Sequence, residues 1–129
     1  MRKLSLLFVF VMLTGCATVQ TWIPSFWDVN QSAKITDVQL AVDRLDCGAN
    51  TLAQVVVIRD NLRWFELYSR SKGAVQQDVL KVVAPMQETV EDMYKRAAQG
   101  PVSKTYCELK QRIMQQQAAR AAAAVQGRW

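Results

Sequence analysis

The chain has 129 residues, with 16 Lys and Arg against 11 Asp and Glu. One domain at most fits that length. His is absent, which removes the residue most used for general acid–base chemistry and zinc binding. Half the residues are apolar, with only 5 Gly and 3 Pro, which argues for long regular elements and against disorder or a loop-rich scaffold.

Residues 1–16 carry the strongest signal. Arg2 and Lys3 precede an apolar run, Leu4 to Leu13, interrupted only by Ser5. The run is too short to span a bilayer, which needs about 20 residues, and it suits the apolar core of a signal peptide. Next comes Leu13-Thr14-Gly15-Cys16. This tetrad resembles the lipobox of bacterial or phage-encoded prolipoproteins at all four positions. The resemblance implies cleavage before Cys16, a diacylglycerol thioether on its sulfur and an acyl chain on its new amino group. Several acyl chains on one residue anchor stably, so membrane lipid is the first expected partner. Ala17 resembles the outer-membrane class, so the expected location is the cell envelope, anchored in the outer membrane at its periplasmic face. Residues 1–15 are then the signal peptide, 16–30 a lipidated tether and 31–129 a helical domain. Without Arg2 and Lys3 the side-chain charge falls from +5 to +3, too little to indicate a nucleic-acid partner.

The tether holds Trp22, Ile23, Pro24, Phe26 and Trp27. Residues 17–30 reach at most about 46–50 Å, so the domain sits near the membrane. Trp22, Phe26 and Trp27 have two readings. They contact the lipid interface, where Trp rings favour the headgroup level, or they fold back and cap the core.

Four helices are predicted. Asn30 or Ser32 caps the first, which runs to about Cys47 with Ile35, Val38, Ala41, Val42 and Leu45 on one face. Gly48 suits a left-handed position after its end. Thr51 to about Ser71 forms the second, capped by Asn50 or Thr51. Its apolar residues cover more than one face, so it is central or carries a partner interface, and Leu67 is a candidate contact. Two strands around Asp60-Asn61 are the rival reading. The third runs from Ala74 to about Gln99, with a stripe through Val75, Val79, Val82, Met86, Val90, Met93 and Ala97 and a kink at Pro85. Glu91/Lys95 and Asp92/Arg96 have ion-pair spacing. Ser103 caps the fourth, Lys104 to about Gln126, with Leu109 and Ile113 inward. Its Ala/Gln-rich half projects, or lies in a groove as a thin helix. Its basic bias, Arg120 included, suits an anionic lipid, a glycan or an acidic partner, or is merely a solvated face. The whole reads as an all-α, up-down-up-down bundle.

Cys47 and Cys107 remain once Cys16 is lipidated. An exported compartment is oxidising, so this pair reads as a disulfide. The bundle supports it, because the first helix ends at the level where the fourth begins.

Chemistry is sparse. Ser69 and Lys72 have the Ser-x-x-Lys spacing of penicillin-binding enzymes, but no companion motif. Glu88, Glu91 and Asp92 form a tight acidic cluster that reads as a salt-bridged surface. No catalytic residue, metal ligand or cofactor is expected beyond the lipid on Cys16. The expected function is a non-enzymatic adapter or assembly factor with an envelope protein partner, similar in size, helical build and disulfide to secretin pilotins. The alternative is a phage-encoded lipoprotein for lysis, as a spanin outer-membrane subunit, or for superinfection exclusion.

Overall fold

The computed structural model describes residues 27–128, and among them every regular element is helical. The signal peptide, Cys16, Trp22 and Phe26 lie outside the described residues. The elements are α1 (Val29–Asp43), α2 (Thr51–Ser71), a 3-10 turn (Ala74–Gln76), α3 (Gln77–Ala98) and α4 (Lys104–Gln126).

Each helix packs on its neighbours in the chain, and α4 closes the ring against α1. Side-chain pairs fix the directions. Asn30 near the start of α1 meets Tyr68 near the end of α2. Arg59 of α2 meets Glu91 of α3, while Glu66 meets Gln87. Lys110 meets Asp92 and Arg128 meets Asp78. Gln115 reaches Asp43 and Gln126 reaches Thr36. All four contacts are antiparallel, giving the up-down-up-down bundle, with α1 and α2 on diagonals from α3 and α4.

Local chemistry sets the ends. The Asp28 carboxylate caps α1 by accepting from the backbone N–H of Asn30 and Gln31, at 2.9 and 3.1 Å. This corrects the expected cap at Asn30 or Ser32. A carboxylate at that point also meets the positive end of the helix dipole. α1 stops at Asp43, short of Cys47. Carbonyls at and just past its end are satisfied from α4: Gln111 Nε2 donates to those of Val42 and Leu45 at 3.0 and 2.9 Å. Asn50 caps α2 through the N–H of Ala53, and α2 is one continuous helix rather than a hairpin. Gly73, not Gly48, takes a left-handed turn, at φ 90°; that conformation disfavours any residue with a Cβ.

The core is one cluster fed by all four helices. On α3 the buried residues are Val79, Val83, Met86, Val90, Met93 and Ala97, at alternating steps of four and three, and all but Ala97 belong to that cluster. Val82 is exposed and Val83 buried, the reverse of the expected stripe. Both are valine, so only the phase of the surrounding residues chooses between them. α3 runs through Pro85 without interruption. The Pro85 carbonyl accepts from the Thr89 hydroxyl at 3.0 Å and from Gln117 Nε2 of α4 at 3.1 Å.

α4 departs most from expectation. Leu109 and Ile113 face solvent, at 49% and 36% exposure, while Met114, Ala118, Ala121, Ala122 and Val125 are buried. Cys107, wholly buried and at bonding distance from Cys47, lies on this inward face. The Ala-rich half therefore does not project. It lies in the groove between α1 and α3 as a thin helix, where small side chains let backbones approach.

A buried polar cluster closes the bundle end at which α1 begins. Gln31 Nε2 donates to Ser69 Oγ at 2.9 Å and to Gln76 Oε1 at 3.0 Å. Arg128 Nη1 donates to the same Gln76 oxygen at 3.3 Å. A satisfied buried network of this kind specifies one arrangement of the helix ends.

Candidate interaction surface

α2 carries two opposed stripes. Thr51, Val55, Ile58, Leu62, Phe65 and Ser69 are buried. Ala53, Val57, Asp60, Trp64, Leu67 and Ser71, at the same alternation of four and three, lie on the other side. There Val57, Trp64 and Leu67 are 54%, 41% and 52% exposed. The surplus of apolar residues on this helix thus comes from a second face turned to solvent, not from a central position.

The tether end of that face is stiffened. Trp64 stacks on Tyr68 with centroids 4.8 Å apart and planes 9° from parallel. The Lys34 ammonium sits 5.2 Å over the Trp64 ring, and Lys72 sits 4.9 Å over Tyr68. Such contacts favour one orientation of the two rings. Lys34 also binds Asp37 at 3.0 Å. Tyr68 donates to the Asp28 carboxylate at 3.1 Å, with Lys72 at 3.5 Å from it. Burial pushes the Asp28 carboxyl up. The N–H groups of Gln31 and Asn30, the Tyr68 hydroxyl and Lys72 outweigh it and hold the group below its ordinary 3.8. Sequence spacing within α2 puts Trp64 and Tyr68 four apart, but the ladder also needs Lys34 from α1, which no local pattern reveals.

Beside this face, α2 and α3 enclose an open groove of about 840 Å³. Arg59, Arg63, Glu66, Glu88, Glu91 and Lys95 line it. Its charges largely satisfy one another. Arg59 binds Glu91 at 2.7 Å and lies 4.2 Å over the Tyr94 ring. Arg63 and Arg70 both bind Glu66 at 2.9 Å. Burial raises the Glu66 carboxyl, and the two guanidiniums more than reverse it. Asp92 binds Lys110 at 2.6 Å and accepts from Tyr106 at 3.2 Å. Those contacts, the Lys110 hydrogen bond first, lower its carboxyl. Glu91 and Asp92 therefore make their ion pairs across helices, with Arg59 and Lys110, while Arg96 adds only a weaker Coulombic pull on Asp92. The groove was not legible in the sequence, because its walls come from two helices.

These lowered carboxyls set an acid limit. A group whose folded pKa lies below its unfolded value stabilises fully above the unfolded value, and that contribution goes as pH falls through the folded one. The ordinary values are 3.8 for Asp28 and Asp92 and 4.5 for Glu66. The unfolding midpoint in urea is expected to hold from neutral pH to about pH 5, then fall steadily below it. A midpoint unchanged at pH 3 would show that these contacts contribute nothing.

Ser69 and Lys72 do not meet. Ser69 Oγ accepts from Gln31, while Lys72 engages Asp28 and Tyr68. Among the described residues, no group of three or more His, Cys, Asp or Glu is placed to hold a metal ion, and no helix is long and apolar enough to cross a membrane. Of the expected contact residues, Trp27 is half-exposed, Leu67 lies on the outer stripe of α2, and Arg120 is exposed on α4. Leu67 and Arg120 belong to diagonal helices and form no common patch. The sulfurs of Cys47 and Cys107 stand at bonding distance, with Cα atoms 5.7 Å apart, within the usual range of about 4.4–6.8 Å for a disulfide. The chain matches no protein-family model, no curated protein and no solved structure.

Proposed function

We propose that this protein is a lipid-anchored adapter or assembly factor of the outer membrane, which holds an envelope protein against the outer stripe of α2. One observation carries the reading. α2 places a complete core stripe inward and a second apolar stripe, with Val57, Trp64 and Leu67, outward. Exposed aromatic and aliphatic side chains held rigid at helical spacing are what a partner helix or groove takes as anchors. The lipobox ending at Cys16 supplies the membrane attachment through diacylglycerol and an N-acyl chain. The oxidising compartment this implies suits a Cys47–Cys107 bridge. A domain closed in this way binds without rearranging, which lowers the cost of association.

The test is photo-crosslinking in the native envelope from residue 67, with adducts identified by mass spectrometry. One dominant protein adduct is expected, and it is lost when Trp64 is changed to Ala. Lipid or self adducts alone would defeat the adapter reading. The mass of the mature N-terminal peptide tests the anchor separately, since acylated Cys16 is expected as its first residue.

A further inference from the structure

We infer that the outer face of α4 seats on anionic phospholipid headgroups, laying the bundle on its side with α2 turned away from the bilayer. This rests on the proposed lipid anchor at Cys16.

Charge is the first ground. Residues 104–128 hold five cations and one acid, Glu108. Lys104 lies 3.8 Å from Glu108, Lys110 2.6 Å from Asp92, and Arg128 3.3 Å from Asp78. Asp43, on the α1 flank, accepts from Gln115 at 3.0 Å. The acids bordering the face thus have partners from α4 itself. Arg112 and Arg120 have no ion pair among the described residues. They stand with Leu109, Ile113 and Gln116 on an exposed face whose one carboxylate, Glu108 near the helix start, already has Lys104 as its partner. Cations that reach phosphates beside aliphatic side chains that reach acyl chains are the requirements of an interfacial helix. The outward stripe of α2 has the opposite character: Asp60 is its only charge.

Reach is the second ground. Described structure begins at Trp27, next to the start of α1. The last turn of α4 meets α1 about two turns in from that start, with Gln126 Nε2 3.1 Å from Thr36 Oγ1, and Arg128 beyond it shares the Gln76 oxygen with Gln31 of the first turn of α1. Residues 17–26 span at most about 33–36 Å, and a helix of 23 residues is about 34 Å long. An anchor held at Cys16 therefore permits the length of α4 to lie along the membrane plane. Because α2 is diagonal to α4, that pose presents Val57, Trp64 and Leu67 to the periplasm, where a partner meets them.

The test uses the lipidated, oxidised protein reconstituted into vesicles of phosphatidylcholine, with or without phosphatidylglycerol. A nitroxide is placed by Gln116→Cys on α4 or Ala53→Cys on α2, and its collisions with a water-soluble nickel chelate are measured. With phosphatidylglycerol, the residue 116 probe is expected to be shielded and the residue 53 probe open. Arg112→Gln with Arg120→Gln is expected to lower the ratio of seated to unseated protein about twenty-five-fold, taking roughly fivefold per cation at an anionic surface. Both are exposed, so an unchanged far-ultraviolet spectrum accompanies that loss. If the protein floats with the vesicles but the residue 116 probe stays as open as the residue 53 probe, the seating surface fails and the anchor stands. Equal shielding in pure phosphatidylcholine overturns the headgroup assignment. Failure to float at all overturns the anchor, and the seating with it.

Discussion

Replacing Cys47 and Cys107 together by alanine is expected to lower the unfolding free energy by about 4 kcal/mol, the chain-entropy value for closing a loop of their length. The two residues are 60 apart in sequence, and that loop takes in all of α2 and α3. Breaking the link returns that freedom to the unfolded chain. Domains of this size carry about 5–15 kcal/mol in total, so one bond accounts for a large share. With about 4–8 °C lost per kcal/mol, the thermal midpoint falls by some tens of degrees. Alanine is the better replacement because Cys107 is wholly buried, where a serine hydroxyl would need a partner. Reducing the wild-type protein with dithiothreitol should give nearly the same loss. A urea midpoint that reductant leaves unchanged would mean the two sulfurs are not bonded in solution. The loss also has a local side. The bridge holds the end of α1 against α4, where Gln111 supplies donors to the carbonyls of Val42 and Leu45. Its removal should therefore speed amide exchange first at the end of α1.

That corner of the fold was readable in advance, because two cysteines and a topology constrain one another. The helices themselves were nearly as legible. Asn50, Ser103 and Gly73 act as caps and breaks whose chemistry is local, and the α3 residues from Met86 to Ala97 keep one phase. The misreadings share a cause. On α4, hydrophobicity pointed to Leu109 and Ile113, yet the buried face is Met114 with alanines. Side-chain size ranks candidates wrongly where helices pack close, since between Met114 and Val125 the groove is filled by alanines. Val82 and Val83 are identical in composition, and Asp28 lay just outside the expected first helix. The ladder of Lys34, Trp64, Tyr68 and Lys72, the groove beside it and the Gln31–Ser69–Gln76 cluster each join residues from separate helices. Such juxtapositions follow from rotation of one helix against another, which a single sequence does not encode in any local spacing. The excess apolar content of α2 was visible, but whether it meant a central helix or an interface required the position of the other three.

Phe65→Ala is expected to cost about 3–5 kcal/mol, whereas Leu67→Ala should stay within about 0.5 kcal/mol of wild type. The two positions are two residues apart on one helix, and their fates separate because α2 turns one stripe in and one out. Phe65 is completely buried, while Leu67 is 52% exposed. Truncating Phe65 removes transfer energy and leaves a void that neighbours fill only in part. Truncating Leu67 removes atoms that already face water. Binding should reverse the order of importance. An anchor residue at the centre of an interface costs more than about 1 kcal/mol on truncation, several-fold in affinity. Leu67→Ala should therefore leave the urea midpoint in place and weaken recovery of the crosslinked partner, with Val57→Ala acting in the same direction. If Leu67→Ala instead unfolds the domain as readily as Phe65→Ala, the outer stripe is packed in the protein and cannot be its docking face. If it changes neither stability nor recovery, the partner binds elsewhere. A selective loss of binding makes α2 the one helix that holds the core with one face and the partner with the other.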